Sequence, residues 1–246
     1  MQELKPLWNR IFKFKWGFAL VLVLVVCITR FFLVLDANKS GNYGLIGIVM
    51  LISAITPFIF LTKYGRKEIG MVKPKKYSAL LIALIAGLIF SLILYYLGYN
   101  LYHNTYENWY AYIGKSYNIP AVISVNDKAI LFSIMAFTGM IFSPIGEELF
   151  FRGIVHSAFA KSIGDTKASI ADSSAFALTH ISHFGLVYLN SRWDFFPIPA
   201  LIWVAGMFLA SLIFFVFKKY SGSILGAIMC HAGFNLGMIY AIFYLM

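Results

Sequence analysis

Seven apolar stretches of about 20 residues follow one another along this chain of 246 residues, and they limit its fold more than any other feature. A helix rises about 1.5 Å per residue, so roughly 20 residues match the ~30 Å hydrocarbon core of a bilayer. Hydrophobic residues make up 61% of the chain and charged residues only 12%, which is more apolar surface than a water-soluble domain needs. The sequence therefore predicts an all-α polytopic membrane protein with about seven transmembrane helices. The predicted spans are 17–35, 44–62, 77–99, 129–146, 169–187, 199–217 and 223–245.

The basic residues gather in every second connection between these spans. Positive residues favour the cytoplasmic side of a membrane, so we expect the N-terminus inside the cell and the C-terminus outside. Arg30, at the end of the first span, counts with the sparsely charged outer side. The net charge of +10 is thus a topology signal of a protein in the cell membrane, and no nucleic-acid partner is expected. The basic residues of the inner side are Lys5, Arg10, Lys13, Lys15, Lys63, Arg66, Lys67, Lys73, Lys75, Lys76, Lys161, Lys167, Lys218 and Lys219.

The longest connection, 100–128, falls on the predicted outer side and is rich in aromatic residues. Tyr102, Tyr106 and Trp109 recur at the spacing of one helical face. Tyr and Trp prefer the membrane–water interface. The pattern predicts an interfacial helix anchored by aromatic rings, with a substrate-sensing role as the alternative.

Three polar motifs, at 147–152, 176–180 and 231–235, interrupt the apolar spans of the second half. A charged side chain at the bilayer centre costs about 2.5–3.5 kcal/mol on insertion scales, so such groups must pair or perform chemistry. The first three spans contain no such motif and are expected to support the fold by packing. We therefore divide the chain into N-terminal helices with the outer loop, 1–128, and a catalytic half, 129–246, that buries the active site.

The first motif combines two adjacent glutamates with an arginine. Glu148 and Arg152 are four residues apart, so a helix places them on one face as an ion pair. Glu147 lies about 100° round the helix and can face another partner. A carboxylate in a low-dielectric site gains proton affinity, which suits a general base acting on water. The alternative is a structural clamp between Glu148 and Arg152, without chemistry.

The other two motifs each combine a histidine with a residue one helical turn away. Phe176 precedes His180, where it can pack on the imidazole, and His183 follows at a spacing that could bind metal or simply meet water at a helix end. His231 and Asn235 share a face and could donate hydrogen bonds to an oxygen that gains charge. The alternative for this pair is hydrogen bonding between helices, which holds membrane bundles together.

A carboxylate base, two imidazoles and an amide donor are the parts required to activate water and stabilise a tetrahedral intermediate. They permit either acid–base or metal-assisted hydrolysis. Glu147, His180 and His231 form a candidate zinc set, and zinc is the cofactor to consider. The His-Glu-x-x-His signature of zinc proteases is missing from the sequence.

Taken in order, the three motifs resemble those of the CAAX-protease and bacteriocin-processing (CPBP or Abi) intramembrane proteases, relatives of the eukaryotic Ras-converting CAAX endopeptidase. The resemblance covers 129–246 and is strengthened by the glycines at 146 and 153 that flank the first motif. It implies that Glu147 is the general base, assisted by His180. It leaves the use of a metal open and favours a metal-free mechanism. His183 belongs to no motif of the family.

The resemblance further implies that Glu148 and Arg152 support the base, and that His231 and Asn235 form the oxyanion site. The expected activity is endoproteolysis of membrane-associated peptides or protein tails, as in CAAX processing, leader-peptide or pheromone maturation, or bacteriocin self-immunity. Glu147 falls near the cytoplasmic end of its span, so the active site is expected to open towards the cytoplasm. The alternatives are a non-catalytic scaffold or immunity protein and a proton-coupled transporter.

Overall fold

The structure of the protein is a computed structural model that describes residues 1–120 and 122–246. A π-helical segment, Leu149–Val155, joins the helix that ends at Glu148 to the helix that begins at His156, and a 3-10 turn, His180–Ser182, follows Thr179. One antiparallel hairpin pairs β1 (Leu186–Leu189) with β2 (Arg192–Phe195) in this part of the chain. The helices described are α1 (Pro6–Asn9), α2 (Trp16–Ser40), α3 (Gly44–Phe60), α4 (Lys63–Glu68), α5 (Ser78–Tyr102), α6 (Trp109–Lys115), α7 (Val125–Glu148), α8 (His156–Ile163), α9 (Asp165–Thr179), α10 (Pro197–Ser221) and α11 (Ile224–Tyr244).

Apolar helices long enough to cross a bilayer account for most of the predicted spans. Within residues 1–120 and 122–246 there are five of them: α2, α5, the continuous helical segment Val125–Ile163, α10 and α11. Helix α3 is apolar but shorter, with 17 residues. The fold class predicted from the sequence, an all-α polytopic membrane protein, is confirmed, and the chain is an integral membrane protein.

The fifth predicted span, 169–187, is not one continuous helix. Helix α9 ends at Thr179 after 15 residues, which is a length of about 22 Å. The chain then makes the 3-10 turn and enters the β-hairpin, whose two-residue turn holds Asn190 and Ser191 at positive φ. Both turn residues adopt the left-handed conformation that matches the twist of a tight hairpin. The apolar run in the sequence therefore consists of a short helix followed by a folded-back loop.

The basic connections lie together at one end of the helical bundle. The amide of Lys5 donates to the carbonyl of Phe60, and the amide of Lys75 donates to the carbonyl of Ser221. Ile224 is likewise hydrogen-bonded to Gly70. We call this end, formed by 1–15, 61–76 and 218–224, the basic end. The end formed by 41–43 and 103–120 is called the opposite end.

Helices α5 and α11 are held in very close contact by glycines. A Cβ built on Gly233 would lie 1.9 Å from the Leu84 carbonyl oxygen, and one built on Gly87 would lie 1.8 Å from that of Cys230. Only glycine permits this approach, as in other close helix pairs of membrane proteins. The helix that carries the third polar motif is thus fixed against an N-terminal helix.

The aromatic residues of the connection 100–128 do not form one interfacial helix. Helix α5 ends at Tyr102, and the short helix α6 begins only at Trp109. Trp109 is fully buried and packs edge-on against Phe184, while the Tyr110 hydroxyl donates to the Ser91 carbonyl oxygen at 2.7 Å. The prediction of an interfacial helix was wrong, because these rings complete the core at the opposite end.

Candidate active site

The adjacent glutamates of the first motif face two different sets of partners, as the helical spacing predicted. Both lie in the last turn of α7, where the helix changes from α to π, and both are buried. A π-helical segment is frequent at functional sites, because it redirects side chains within a continuous helix. Gly146 lets the backbone of α3 approach, since a Cβ there would lie 2.5 Å from the Met50 carbonyl oxygen.

Glu147 is held by one of its two carboxylate oxygens. Its Oε1 accepts a hydrogen bond from the Ser143 hydroxyl at 2.6 Å and one from Arg30 Nη2 at 3.0 Å. Within the described part of the chain its Oε2 is buried without a hydrogen-bond partner, and it lies 4.0 Å from Nε2 of His180. The free oxygen of Glu147 and the imidazole of His180 therefore face each other at a distance too long for a direct hydrogen bond.

The orientation of His180 is fixed by its own helix. Nδ1 lies 2.7 Å from the carbonyl oxygen of Phe176, and the two rings are 4.3 Å apart. Because a carbonyl oxygen only accepts, Nδ1 carries the hydrogen, and Nε2 of the neutral ring is the nitrogen able to accept a proton. The sequence predicted this packing of Phe176 on His180. The hydrogen bond to the Phe176 carbonyl oxygen, which the sequence did not predict, also determines the tautomer of His180.

Glu148 joins the first and third motifs. Its Oε1 lies 3.2 Å from Arg152 Nη1, which is the predicted ion pair, and 2.8 Å from Nδ1 of His231. Arg152 is fully buried with its guanidinium 4.2 Å from the centre of the Phe176 ring, a cation–π distance. The His231 ring stacks on Phe214 at 4.7 Å. Glu148 thus fixes the imidazole of His231 and leaves its Nε2 free.

Asn235 lies one turn beyond His231 and makes a hydrogen bond between helices. Its Nδ2 donates to the carbonyl oxygen of Gly139 at 2.9 Å, which links α11 to α7. This is the interhelical bond that we considered as the alternative role for the third motif. The amide group has a second hydrogen, so the bond to Gly139 does not exhaust its donors.

Two residues that the sequence analysis left without a role also belong to the site. Arg30 on α2 is 3% exposed and donates through Nη2 both to Glu147 and, at 3.2 Å, to Nε2 of His183. The ring of His183 lies 5.3 Å from that of His180. The expectation that the first three spans only support the fold was therefore wrong. An arginine inside an apolar span was the signal, since such a residue requires a partner.

The site opens into a cavity of about 360 Å³ that extends away from the basic end. Along α7 the cavity follows residues before Glu147, and along α11 it follows residues after His231. It then reaches the connections of the opposite end. The cavity thus lies towards the end opposite the basic connections, while the orientation of the two ends in the membrane stays a prediction. The lining residues beyond the polar motifs include Tyr43, Ile113, Tyr117, Met135, Gly139, Trp203, Met207, Met238 and Ile239.

The candidate metal set Glu147, His180 and His231 does not fit a metal ion. Among residues 1–120 and 122–246, no three His, Cys, Asp or Glu side chains are arranged to hold one. The Arg30 guanidinium already places a positive charge 3.0 Å from the Glu147 carboxylate. His231 has its Nδ1 engaged by Glu148. These residues are therefore engaged by other protein groups rather than arranged around a metal.

A second polar cluster lies at the basic end, outside the cavity. His156 bridges Asp172 at 2.7 Å and Asp165 at 2.9 Å, and Lys219 donates to Asp165 at 2.6 Å. Burial raises the pKa of Asp165, but hydrogen bonds from Lys219 and His156 outweigh it and hold that pKa below its usual value. The cluster ties α8, α9 and α10 together beneath the site.

Comparison with known proteins agrees with this geometry. Residues 129–237 match the family described as Rce1-like, type II CAAX prenyl endopeptidase Rce1-like. No curated protein and no solved structure matches the chain. The matched segment contains all three polar motifs, and it supports a CAAX-type endopeptidase that works within the membrane on membrane-associated peptides. This match confirms the predicted resemblance to the CAAX protease family over residues 129–237. Helix α2, with Arg30, lies outside the matched residues.

Proposed function

We propose that this protein hydrolyses a peptide bond within the membrane by means of a water molecule activated by Glu147 and His180. The observation that carries the proposal is the pair of acceptors, Oε2 of Glu147 and Nε2 of His180, that face each other 4.0 Å apart beside the cavity. A water molecule at about 2.8 Å from each of these atoms can donate one hydrogen to Glu147 and the other to His180. Its lone pair is then directed at a carbonyl carbon bound in the cavity.

The proposed reaction needs no further reactant. The water oxygen forms a bond to the carbonyl carbon while Glu147 takes one of its protons. The carbonyl oxygen becomes an oxyanion, which His231 and the second amide hydrogen of Asn235 stabilise. The proton held by Glu147 passes to the leaving nitrogen, the carbon–nitrogen bond breaks, and a carboxyl group and an amine are released.

Glu148 and Arg152 act through His231 in this scheme. The carboxylate of Glu148 accepts from Nδ1 of His231, so it stabilises the imidazole when its Nε2 also carries a proton. In that form His231 donates to the oxyanion. Arg152 pairs with this carboxylate and is itself stabilised by the aromatic rings around it. This pair supports catalysis without contacting the substrate.

The cavity favours an extended peptide with apolar side chains. Its walls are mostly aliphatic and aromatic, and its carboxylate, guanidinium and imidazole groups lie together around Glu147. A substrate helix has its carbonyl groups hydrogen-bonded internally and must unwind before attack. With the N-terminus in the cytoplasm and the protein in the cell membrane, the cavity faces outwards. We therefore propose exported or membrane-associated peptide precursors as substrates, as in leader-peptide, pheromone or bacteriocin processing, rather than cytoplasmic prenylated tails.

Peptide cleavage by the purified protein in lipid nanodiscs tests the proposal. Wild-type protein, E147Q and E107Q would be incubated with membrane-anchored leader peptides and prenylated tails, and the products identified by mass spectrometry. Glu107 is exposed in the turn after α5, so E107Q removes the same charge away from the site. We expect E147Q to lose about 10²–10⁴-fold in rate, the range for a general base, and E107Q to match wild type.

A chelator in the same assay is expected to leave cleavage unchanged, because the site does not fit a metal. Equal cleavage by E147Q and wild type would refute the proposed mechanism. Cleavage by none of the three proteins, together with a cellular immunity phenotype that E147Q retains, would favour the non-catalytic scaffold.

A further inference from the structure

We infer that Arg30 is a positioning residue for this reaction, contributed by the first transmembrane helix from outside the family-matched segment. It holds the Glu147 carboxylate in the orientation in which Oε2 faces His180. The inference rests on the proposed function, since it concerns the same water-activating pair.

Stability alone is a poor reason for this arginine. The side chain is 3% exposed, and its Nε and Nη1 are buried without hydrogen-bond partners among the residues that the structure describes. Burying unpaired donors is costly, and even a complete buried ion pair often contributes little net stability. An apolar residue in the middle of α2 would insert into the membrane more easily. The free-energy cost of burying Arg30 is therefore better explained by a role in function, which its one hydrogen-bonded nitrogen, Nη2, would perform.

That nitrogen, Nη2, fixes the rotation of the carboxylate of Glu147. Oε1 receives two hydrogen bonds from different directions, one from Ser143 on its own helix and one from Arg30 on α2. Because both donors take the same oxygen, the other oxygen stays free and faces His180. If Arg30 were absent, the carboxylate could rotate, because either of its oxygens could accept the hydrogen bond from the Ser143 hydroxyl.

The same nitrogen also connects to the histidine side of the pair. Nη2 lies 3.2 Å from Nε2 of His183, whose ring packs 5.3 Å from His180. Since an arginine only donates, His183 accepts through Nε2. One guanidinium group thereby sets both the carboxylate and the ring that packs on the imidazole. A reacting pair displaced by about 1 Å can lose on the order of 100-fold in rate.

The test compares kcat and KM for peptide cleavage by R30M, R30K and V34A. Val34 is fully buried on the same helix one turn further on, so V34A reports the effect of loosening α2 without changing charge. We expect R30M to lower kcat by roughly 100-fold with KM within about twofold of wild type. R30K restores a cationic donor, so its kcat should be at least about tenfold higher than that of R30M. V34A should lower the unfolding temperature and leave kcat unchanged.

A further variant, H183F, keeps a ring beside His180 but removes the nitrogen that accepts from Arg30. We expect a smaller loss of kcat, about tenfold, because Arg30 retains Glu147. The inference is refuted if R30M cleaves at the wild-type rate, if its loss lies in KM, or if R30K is no better than R30M. If R30M does not fold, R30K and H183F still decide, since both at wild-type kcat would also refute it. An inactive E147Q beside a fully active R30M would refute this inference alone, whereas an active E147Q would refute the proposed function.

Discussion

Replacing Gly233 by alanine should disable the enzyme by moving a helix, without touching a polar group of the site. The new Cβ would lie 1.9 Å from the carbonyl oxygen of Leu84, whereas real Cβ contacts stay beyond 3.0 Å, so the two backbones must separate by about 1.1 Å. The oxygen belongs to the main chain of α5 and cannot rotate away. Helix α11, with His231 and Asn235, therefore shifts relative to the rest of the site.

The size of this shift sets the expected effect of G233A. A displacement of about 1 Å can cost on the order of 100-fold in rate, so kcat should fall by that factor. Alanine is intrinsically better than glycine in a helix by roughly 0.5–1 kcal/mol, but overpacking typically costs 1–3 kcal/mol. The steric term wins, and the unfolding temperature should fall as well. Both quantities are measured on protein in nanodiscs, by peptide cleavage and by thermal unfolding.

The matched control is G47A, because a Cβ at Gly47 meets nothing within 4 Å. It should leave kcat unchanged and the unfolding temperature equal or slightly higher. G87A, which would contact the Cys230 carbonyl oxygen from the other helix, should resemble G233A. The double variant should lose less than the product of the two effects, since the first separation accommodates the second Cβ. A G233A protein with wild-type kcat would refute the reasoning.

Two further predictions follow from the ion pairs and from the position of the cavity. E148Q leaves the buried Arg152 without its counter-ion and should cost about 3–5 kcal/mol of stability besides activity, because His231 also loses its carboxylate; unchanged thermal unfolding would contradict this. The labelling test uses a variant without the two native cysteines and a membrane-impermeant maleimide applied to whole cells. The reagent should label S40C, which adjoins the opposite end, and spare K67C at the basic end. The reverse labelling would place the cavity mouth in the cytoplasm.

The sequence predicted well whatever depends on neighbours along one helix. The apolar runs located the helices because length and hydropathy are local properties. The pairing of Glu148 with Arg152 and the packing of Phe176 on His180 followed from their spacing of four residues. The separate orientation of Glu147 followed from its helical angle. These are contacts that a helix imposes whatever surrounds it.

The features that the sequence did not predict depend on contacts between distant elements. Arg30 and Glu147 are 117 residues apart, so no spacing rule connects them, and the arginine was counted only as a topology charge. The end of α9 at Thr179 was hidden because the following loop is as apolar as a span. The direction of the cavity depends on how distant helices pack around Glu147 and His231. Composition carries no information on such packing.

The ion pair between Arg30 on α2 and Glu147 on α7 also has a consequence for how the protein is made. Helix α2 enters the membrane early in synthesis with Arg30 unpaired, at a cost of about 2.5–3.5 kcal/mol. Glu147 is synthesised 117 residues later, about 6–23 s at 5–20 residues per second. During this interval the nascent first helix has to be retained beside the insertion machinery or oriented with its charge near water. Completion of the active site and release of the chain into the bilayer would then be one event.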